Sequence, residues 1–244
     1  MLRKTAENVC PLRAGIEDKK HWAWRIAQHL ESKGGPCHAR HTVPLKSIMR
    51  MRWYLTALEG FQEQGMDVIS SRELADRIGM SSAIVRKDFS YIGELGTPGL
   101  GYRVSYLQQR IHDILSSNTC LIVWVGAQWL SNALSMFVPT MDLNIRIVAA
   151  LDTRPEWIGK QIGEWEILPL SDLPALLAGG GVDGAVLALP EDARRVADIL
   201  VEAGVKGILN LTPATLSVPP EVSVRHVDLL GEMMALVLEC SEAG

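Results

Sequence analysis

Ser70-Ser71-Arg72-Glu73-Leu74-Ala75-Asp76-Arg77-Ile78-Gly79-Met80-Ser81-Ser82-Ala83-Ile84-Val85-Arg86-Lys87-Asp88-Phe89-Ser90-Tyr91-Ile92-Gly93 decides the front half of the fold. Ser70 to Glu73 has the form of a capping box, in which a serine hydroxyl and a glutamate satisfy free amides of a first helical turn. The helix it opens runs to Ile78, and Gly79 closes it because glycine tolerates the left-handed conformation. Ser81 or Ser82 then caps a second helix that reaches about Tyr91. Helix, glycine turn, helix at this length is the helix-turn-helix pattern. In the second helix Val85, Phe89 and Ile92 fall at helical spacing and should face a small core. Arg86, Lys87 and Ser90 are left pointing outward.

Outward from this stretch the pattern continues on both sides. Leu45 to Gln64 reads as an amphipathic helix through Ile48, Met51, Leu55 and Leu58. Gly65 ends it, and Asp67 to Ile69 is a short extended piece. Downstream, Gly93-Glu94-Leu95-Gly96-Thr97-Pro98-Gly99-Leu100-Gly101-Tyr102-Arg103-Val104 sets four glycines and a proline among extended residues, which suits the two-stranded wing of a winged helix. A helix from Ser105 to Leu115 leads to the polar hinge Ser116-Ser117-Asn118-Thr119.

Beyond the hinge, strands and helices alternate, which implies a parallel sheet. Strands are expected at Leu121–Val125, Ile145–Leu151, Gly184–Leu189, Gly207–Asn210 and Val222–Val227. Helices are expected at Leu130–Val138, Leu173–Ala178, Asp192–Glu202 and Leu229–Cys240. The fold class is therefore α/β: an N-terminal winged helix-turn-helix, a Rossmann-type parallel sheet, and a C-terminal helix. The implied domains are an appendage at 1–42, a winged helix at 43–116, a nucleotide-binding domain at 117–226 and a terminal helix at 227–244.

A chain of 244 residues with 48% hydrophobic content has room for two cores. The net charge of -4 conceals an asymmetry, since residues 1–110 hold 17 of the 24 Lys and Arg but only 11 of the 28 acids. A basic front on an acidic back suggests that the front meets a polyanion. The longest apolar run, Leu121 to Leu130, is too short to span a bilayer. The N-terminus lacks the apolar core of a signal peptide, so cytoplasmic residence is expected and no membrane partner. Cys10, Cys37, Cys120 and Cys240 show no CxxC spacing, and Cys120 reads as a small buried hydrophobe. Cys37, His38 and His41 have a loose metal-like look without a second ligand pair, and no metal is expected. Trp22, Ile26 and Leu30 mark one helical stretch in the appendage, stopped by Gly34, Gly35 and Pro36.

A major groove requires this division of the second helix, apolar inward and donors outward. Candidate DNA contacts are Ser81, Ser82, Arg86, Lys87, Ser90 and Tyr91, with Thr97, Gly99 and Arg103 of the wing along the backbone or in the minor groove. Arg86 can address guanine through two parallel hydrogen bonds, and Lys87 supplies a point charge. The competing interpretation is a winged helix used for protein contacts.

The run from Ser81 to Gly93, with Gly96-Thr97-Pro98-Gly99-Leu100-Gly101-Tyr102, resembles the recognition helix and wing of the Rex family of redox-sensing repressors. Asp152 to Gly159, Gly204-Val205-Lys206-Gly207-Ile208-Leu209-Asn210-Leu211-Thr212-Pro213 and Val227-Asp228-Leu229 resemble the same family. The likeness covers about Pro44 to Leu238. It implies a homodimer in which each C-terminal helix swaps onto the partner subunit. It implies a repressor that binds double-stranded operator DNA when NADH is low and releases it when NADH accumulates, acting on genes of fermentation and anaerobic respiration.

Within that resemblance the candidate NAD(H) residues are Gly126, Ala127, Gln128, Trp129, Leu130, Ser131, Asp152 and Asp228. Dinucleotide binding ordinarily uses G-x-G-x-x-G between strand and helix. Here Gly126-Ala127-Gln128-Trp129-Leu130-Ser131 keeps only the first glycine. Gln128 puts a side chain where the phosphates should pack, while Ser131 is a small replacement. Asp152 stands where a carboxylate can bind both ribose hydroxyls, or it serves as a helix cap or loop acid. Arg154 could favour a 2′-phosphate or simply point to water.

The resemblance also implies a redox-sensing set: an arginine on the first helix, a tyrosine after the glycine loop and an aspartate before the last helix. The aspartate matches Asp228. The arginine position is Thr56, although Arg50 and Arg52 share its helix, and the tyrosine position is Phe137. Pro98 stands in the wing where many relatives carry a basic residue. NADH sensing retained, weakened or lost all remain open. Two other classes remain: a Rossmann oxidoreductase, for which His226 is the nearest histidine, and a regulator with another signal, such as oxidation of Cys10 or Cys37.

Overall fold

The computed structural model describes residues 43–93, 96–97, 100–116, 119–137 and 145–242. Their contacts divide them into two units that meet in sequence at Thr119 and Cys120. The appendage helix and the Cys37, His38, His41 cluster lie outside the described residues.

The first unit begins with α1 (Leu45–Glu63), which buries Met51, Tyr54, Leu55, Leu58 and Phe61 along one face. The short strand β1 (Val68–Ile69) follows, then α2 (Ser71–Arg77). The capping box is formed: Glu73 N–H donates to Ser70 Oγ at 3.2 Å, and Ser70 N–H donates to Glu73 Oε2 at 2.6 Å. Gly79 takes a φ of 68°, which releases the chain into α3 (Ser82–Ser90). Strands β2 (Gly96–Thr97) and β3 (Gly101–Arg103) pair antiparallel, with β1 on the other side of β3. A Cβ on Gly101 would stand 2.6 Å from the Ile69 carbonyl oxygen, so only glycine lets β3 lie this close to β1. Helix α4 (Val104–Leu115) buries Leu107 and Ile111 against the same core. Phe89 centres that core, edge-on to Tyr54 at 5.3 Å and to Tyr102 at 5.0 Å.

The second unit is a seven-stranded sheet. In chain order its elements are β4 (Cys120–Val125), α5 (Ala127–Phe137), β5 (Ile145–Asp152), β6 (Gln161–Ile162) and β7 (Trp165–Pro169). A 3-10 turn (Leu170–Asp172) leads to α6 (Leu173–Leu177), β8 (Gly184–Leu187), α7 (Ala193–Glu202), β9 (Gly207–Asn210), β10 (Ser223–His226) and α8 (Leu229–Glu242). The spatial order is β10-β9-β8-β4-β5-β7-β6, all parallel except the edge strand β6. The first strand, β4, thus lies between the second and the fourth parallel strands, as in doubly wound nucleotide-binding sheets. Its residues alternate between two cores: Leu121, Val123 and Val125 face one, Ile122 and Trp124 the other. Cys120 is half-buried. Helix α5 starts at Ala127, three residues ahead of the expected Leu130, because the Asp152 carboxylate accepts the Ala127 N–H. Among the described residues no helix is long and apolar enough to cross a membrane.

A candidate nucleic-acid interface and a candidate nucleotide cleft

Helix α3 divides as its spacing predicts. Val85 and Phe89 are buried, as is Ile92 just beyond the helix, while Arg86, Lys87, Ser90 and Tyr91 are exposed. The Ser81 hydroxyl accepts the Ile84 N–H at 3.4 Å as the cap, and Ser82 is half-buried. Ser90 donates to the Lys87 carbonyl at 2.7 Å. Arg86 Nη1 donates to Ser71 Oγ at 3.2 Å, which ties the middle of α3 to the start of α2. Thr97 pairs with Gly101 in the wing, and Arg103 is exposed at the end of β3. Gly99 and Pro98 lie outside the described residues.

What sequence reasoning missed on this helix is Asp88. It is 1% exposed and faces α1, where Arg50 grips it with Nε and Nη2, each at 2.6 Å. Tyr54 Oη donates to it at 2.6 Å and Ser47 Oγ at 2.7 Å. Burial alone would push the Asp88 carboxyl up; the bonds from Arg50, Tyr54 and Ser47 outweigh it and hold the group below the ordinary carboxylate range. The Tyr54 hydroxyl is driven up, first by burial and then by its bond to Asp88. Helix α3 is therefore fastened to α1 by an ion pair whose carboxylate is buried.

The second candidate site lies at the carboxyl ends of the parallel strands, where β4 parts from β8, the usual crevice for a nucleotide. Gly126 makes the turn with a φ of 114°, and a Cβ there would stand 2.7 Å from the Ala188 carbonyl oxygen. That clash is with the protein's own backbone, so this glycine serves the sheet before any ligand. Ala127 and Leu130 are fully buried, which leaves them only backbone to offer. Gln128 and Trp129 are exposed and Ser131 is half-buried.

Asp152, the last residue of β5, is fully buried. Oδ2 accepts the Ala127 N–H at 2.7 Å and Arg154 Nη2 at 2.8 Å. Oδ1 accepts the Arg154 backbone N–H at 2.9 Å and its Nε at 3.0 Å. Burial opposes ionisation here, but the Arg154 and Ala127 bonds prevail and hold the carboxyl below its usual range. Of the two roles open to Asp152 from sequence, this arrangement is that of a helix cap. Arg154 Nη1 also donates to Gln128 Oε1 at 3.1 Å, so Asp152, Arg154 and Gln128 form one connected cluster across the start of α5.

On the same edge of the sheet, Asn210 is fully buried at the end of β9. Its Nδ2 donates to the Ala214 carbonyl at 2.7 Å and lies 3.0 Å from His226 Nδ1. His226 is thus oriented by a neutral amide rather than a carboxylate. Asp228 is exposed and accepts the Gly231 N–H at 2.9 Å, capping α8. Of the other residues implicated in redox sensing, Thr56 is exposed and donates to the Arg52 carbonyl of its own helix at 3.4 Å. It lines a groove of about 560 Å³ with Trp53, Gly60, Glu63 and Arg77. Phe137 is the last residue of α5. Among the described residues no group of three His, Cys, Asp or Glu is placed to hold a metal ion.

A winged helix followed by a Rossmann sheet defines a class of two-part transcription regulators. Family models match both parts: "Putative DNA-binding protein N-terminus" over residues 42–90 and "CoA binding domain" over residues 117–214. The redox-sensing transcriptional repressor Rex of Limosilactobacillus reuteri is 38% identical over 201 residues, 82% of this chain and 94% of that protein. Rex of Carboxydothermus hydrogenoformans is 40% identical over 189 residues, 77% of this chain and 91% of its own. A crystal structure of RSP in complex with β-NAD+ and operator DNA superposes with a TM-score of 0.71 at 28% identity, covering 82% of this chain and 94% of that one. A complex of RSP with β-NADH gives 0.68 at 26% identity, covering 83% and 96%. The chain belongs to the Rex family of redox-sensing transcriptional repressors. It is a family of repressors, not of enzymes, and the oxidoreductase alternative falls away.

Proposed function

We propose that the chain works as a homodimeric repressor whose winged helix, residues 43–116, holds operator DNA. Its nucleotide-fold body, residues 117–226, takes a nicotinamide dinucleotide, and residues 227–244 pair the subunits. The observation that carries this reading is α3: Arg86 and Lys87 stand exposed on a helix whose opposite face is fastened by Asp88. Ser81, Ser82, Ser90 and Tyr91 flank them, and Thr97, Gly99 and Arg103 of the wing extend the contact along the backbone.

Pairing is supported by α8. Leu229, Leu230, Met233, Met234, Leu236, Val237 and Leu238 are each between 56% and 67% exposed, so the helix offers a broad apolar surface, broken by Glu232 and Glu239, that no described residue covers. Burying seven such side chains would contribute roughly 10 kcal/mol per subunit.

For the dinucleotide, the switch point and the tight Gly126 turn fit, whereas Gln128 stands where the phosphates should pack and the saturated Asp152 does not match a free ribose. The bound group would supply a charge and shape that change with its redox state. The protein's task is to bind those forms unequally in two dimer arrangements. Gly126, Gln128, Trp129, Ser131 and Asp228 are the residues available to it. A second reading, a Rex-type regulator that no longer answers to NADH, is favoured by Thr56 and Phe137 at the positions of the family's arginine and tyrosine. An operator-binding titration without ligand, with NADH and with NAD+ separates them. Release by NADH alone supports the first, and binding indifferent to both supports the second. Failure to bind any duplex at low salt overturns both.

A further inference from the structure

The ribose end of the cleft offers donors where a free ribose needs acceptors. Ribose hydroxyls donate, yet each oxygen of Asp152 already accepts two hydrogen bonds. Arg154 spends three of its five N–H groups on Asp152 and Gln128, and the other two have no partner among the described residues. Its side chain is 33% exposed, so those groups are within reach of a ligand. A second cation packs on the same aromatic ring, since Lys160 Nζ lies 5.2 Å and Arg154 Cζ 5.8 Å from the centroid of the Trp157 ring. Glu156 and Glu191 also act on the guanidinium and temper its pull on an anion.

We propose that Arg154 is the specificity-determining residue of the cleft and selects a dinucleotide with a phosphate on the adenosine 2′ position, NADP(H), over one with a free 2′-hydroxyl. The inference rests on the reading of this cleft as a dinucleotide site and names its ligand class. An acid at the end of the second strand ordinarily repels a 2′-phosphate and rewards a hydroxyl. Here Arg154 neutralises that acid, occupies its lone pairs and keeps two N–H groups unspent on a partly exposed side chain. A guanidinium edge suits phosphate oxygens, and Lys160 adds a point charge. Gln128 accepts from Nη1 and keeps the guanidinium drawn across the start of α5.

The test is calorimetric titration of the full-length protein with NADPH, NADH, adenosine 2′,5′-bisphosphate and 5′-AMP. NADPH should bind about tenfold tighter than NADH, and the bisphosphate should exceed 5′-AMP by a similar factor. Arg154→Ala should abolish the preference. Because that change leaves Asp152 buried without its partner, the exposed Lys160→Ala gives a second measurement that spares the fold, and it should weaken NADPH severalfold while leaving NADH unaffected. Equal or tighter binding of NADH by the unaltered protein overturns the assignment and leaves the dinucleotide reading standing. Silence toward all four ligands overturns both.

Discussion

Asp88 fixes how α3 sits on its own domain. Its carboxylate joins α3 to a residue 38 positions earlier in the chain, and removing one partner leaves the other buried without compensation. Asp88→Asn should lower stability by about 3 kcal/mol in denaturant unfolding. The folded carboxyl titrates lower than in the unfolded chain. The stabilisation is therefore complete above the ordinary carboxylate range and fades as pH falls through the lowered folded value. Unfolding followed between pH 7 and pH 3 should show this loss in the parent and a flatter profile in Asp88→Asn. On the outer face, Arg86→Ala should weaken operator binding by about 1–3 kcal/mol, and Lys87→Ala should reduce the salt dependence by roughly one phosphate contact. Both variants should unfold close to the parent, because both side chains are exposed and Arg86 gives up only an exposed hydrogen bond to Ser71. Operator anisotropy across a salt series checks the pair, and undiminished affinity in both would mean that another element reads the duplex. None of the Asp88 role was legible in the sequence. There it stands as one more polar residue between Lys87 and Phe89, and only the packing of α1 against α3 reveals that it faces inward.

Among the elements, the helices were legible from their hydrophobic spacing, and buried strands such as β5 and β8 as short apolar runs. The hairpin of β6 and β7 was not, since two residues at Gln161–Ile162 are too few to alternate. The early start of α5 was also hidden, because it depends on an acid 25 positions away. Gly126→Ala should cost about 1–3 kcal/mol, since the new Cβ meets the Ala188 carbonyl and φ is positive. Thermal unfolding checks it. For α8, Leu230→Asp with Met234→Asp should yield monomers in sedimentation and weaken operator binding roughly a hundredfold as the two reading helices lose their linkage. A dimer that survives this double change would place the pairing surface elsewhere.

For the molecule as a whole, the cations available to a duplex are local rather than a property of a whole unit: Arg86, Lys87 and Arg103 stand exposed on α3 and β3. Operator affinity should fall steeply with added salt, as expected when several cations release counterions from a duplex. The DNA module was legible from residue types alone because a groove selects for outward cations on a short helix. The cleft was only half legible, since the neighbourhood of Asp152 and Arg154 in sequence suggests a phosphate preference without revealing that the two bind each other. That pairing carries a lesson for surveys of similar chains. A carboxylate that fastens the first helix to the sheet has an architectural reason to persist after the ligand has changed or gone. An acid at this strand end therefore testifies to how the domain is assembled, and a scan that counts it as a mark of NAD would count this repressor for the wrong reason.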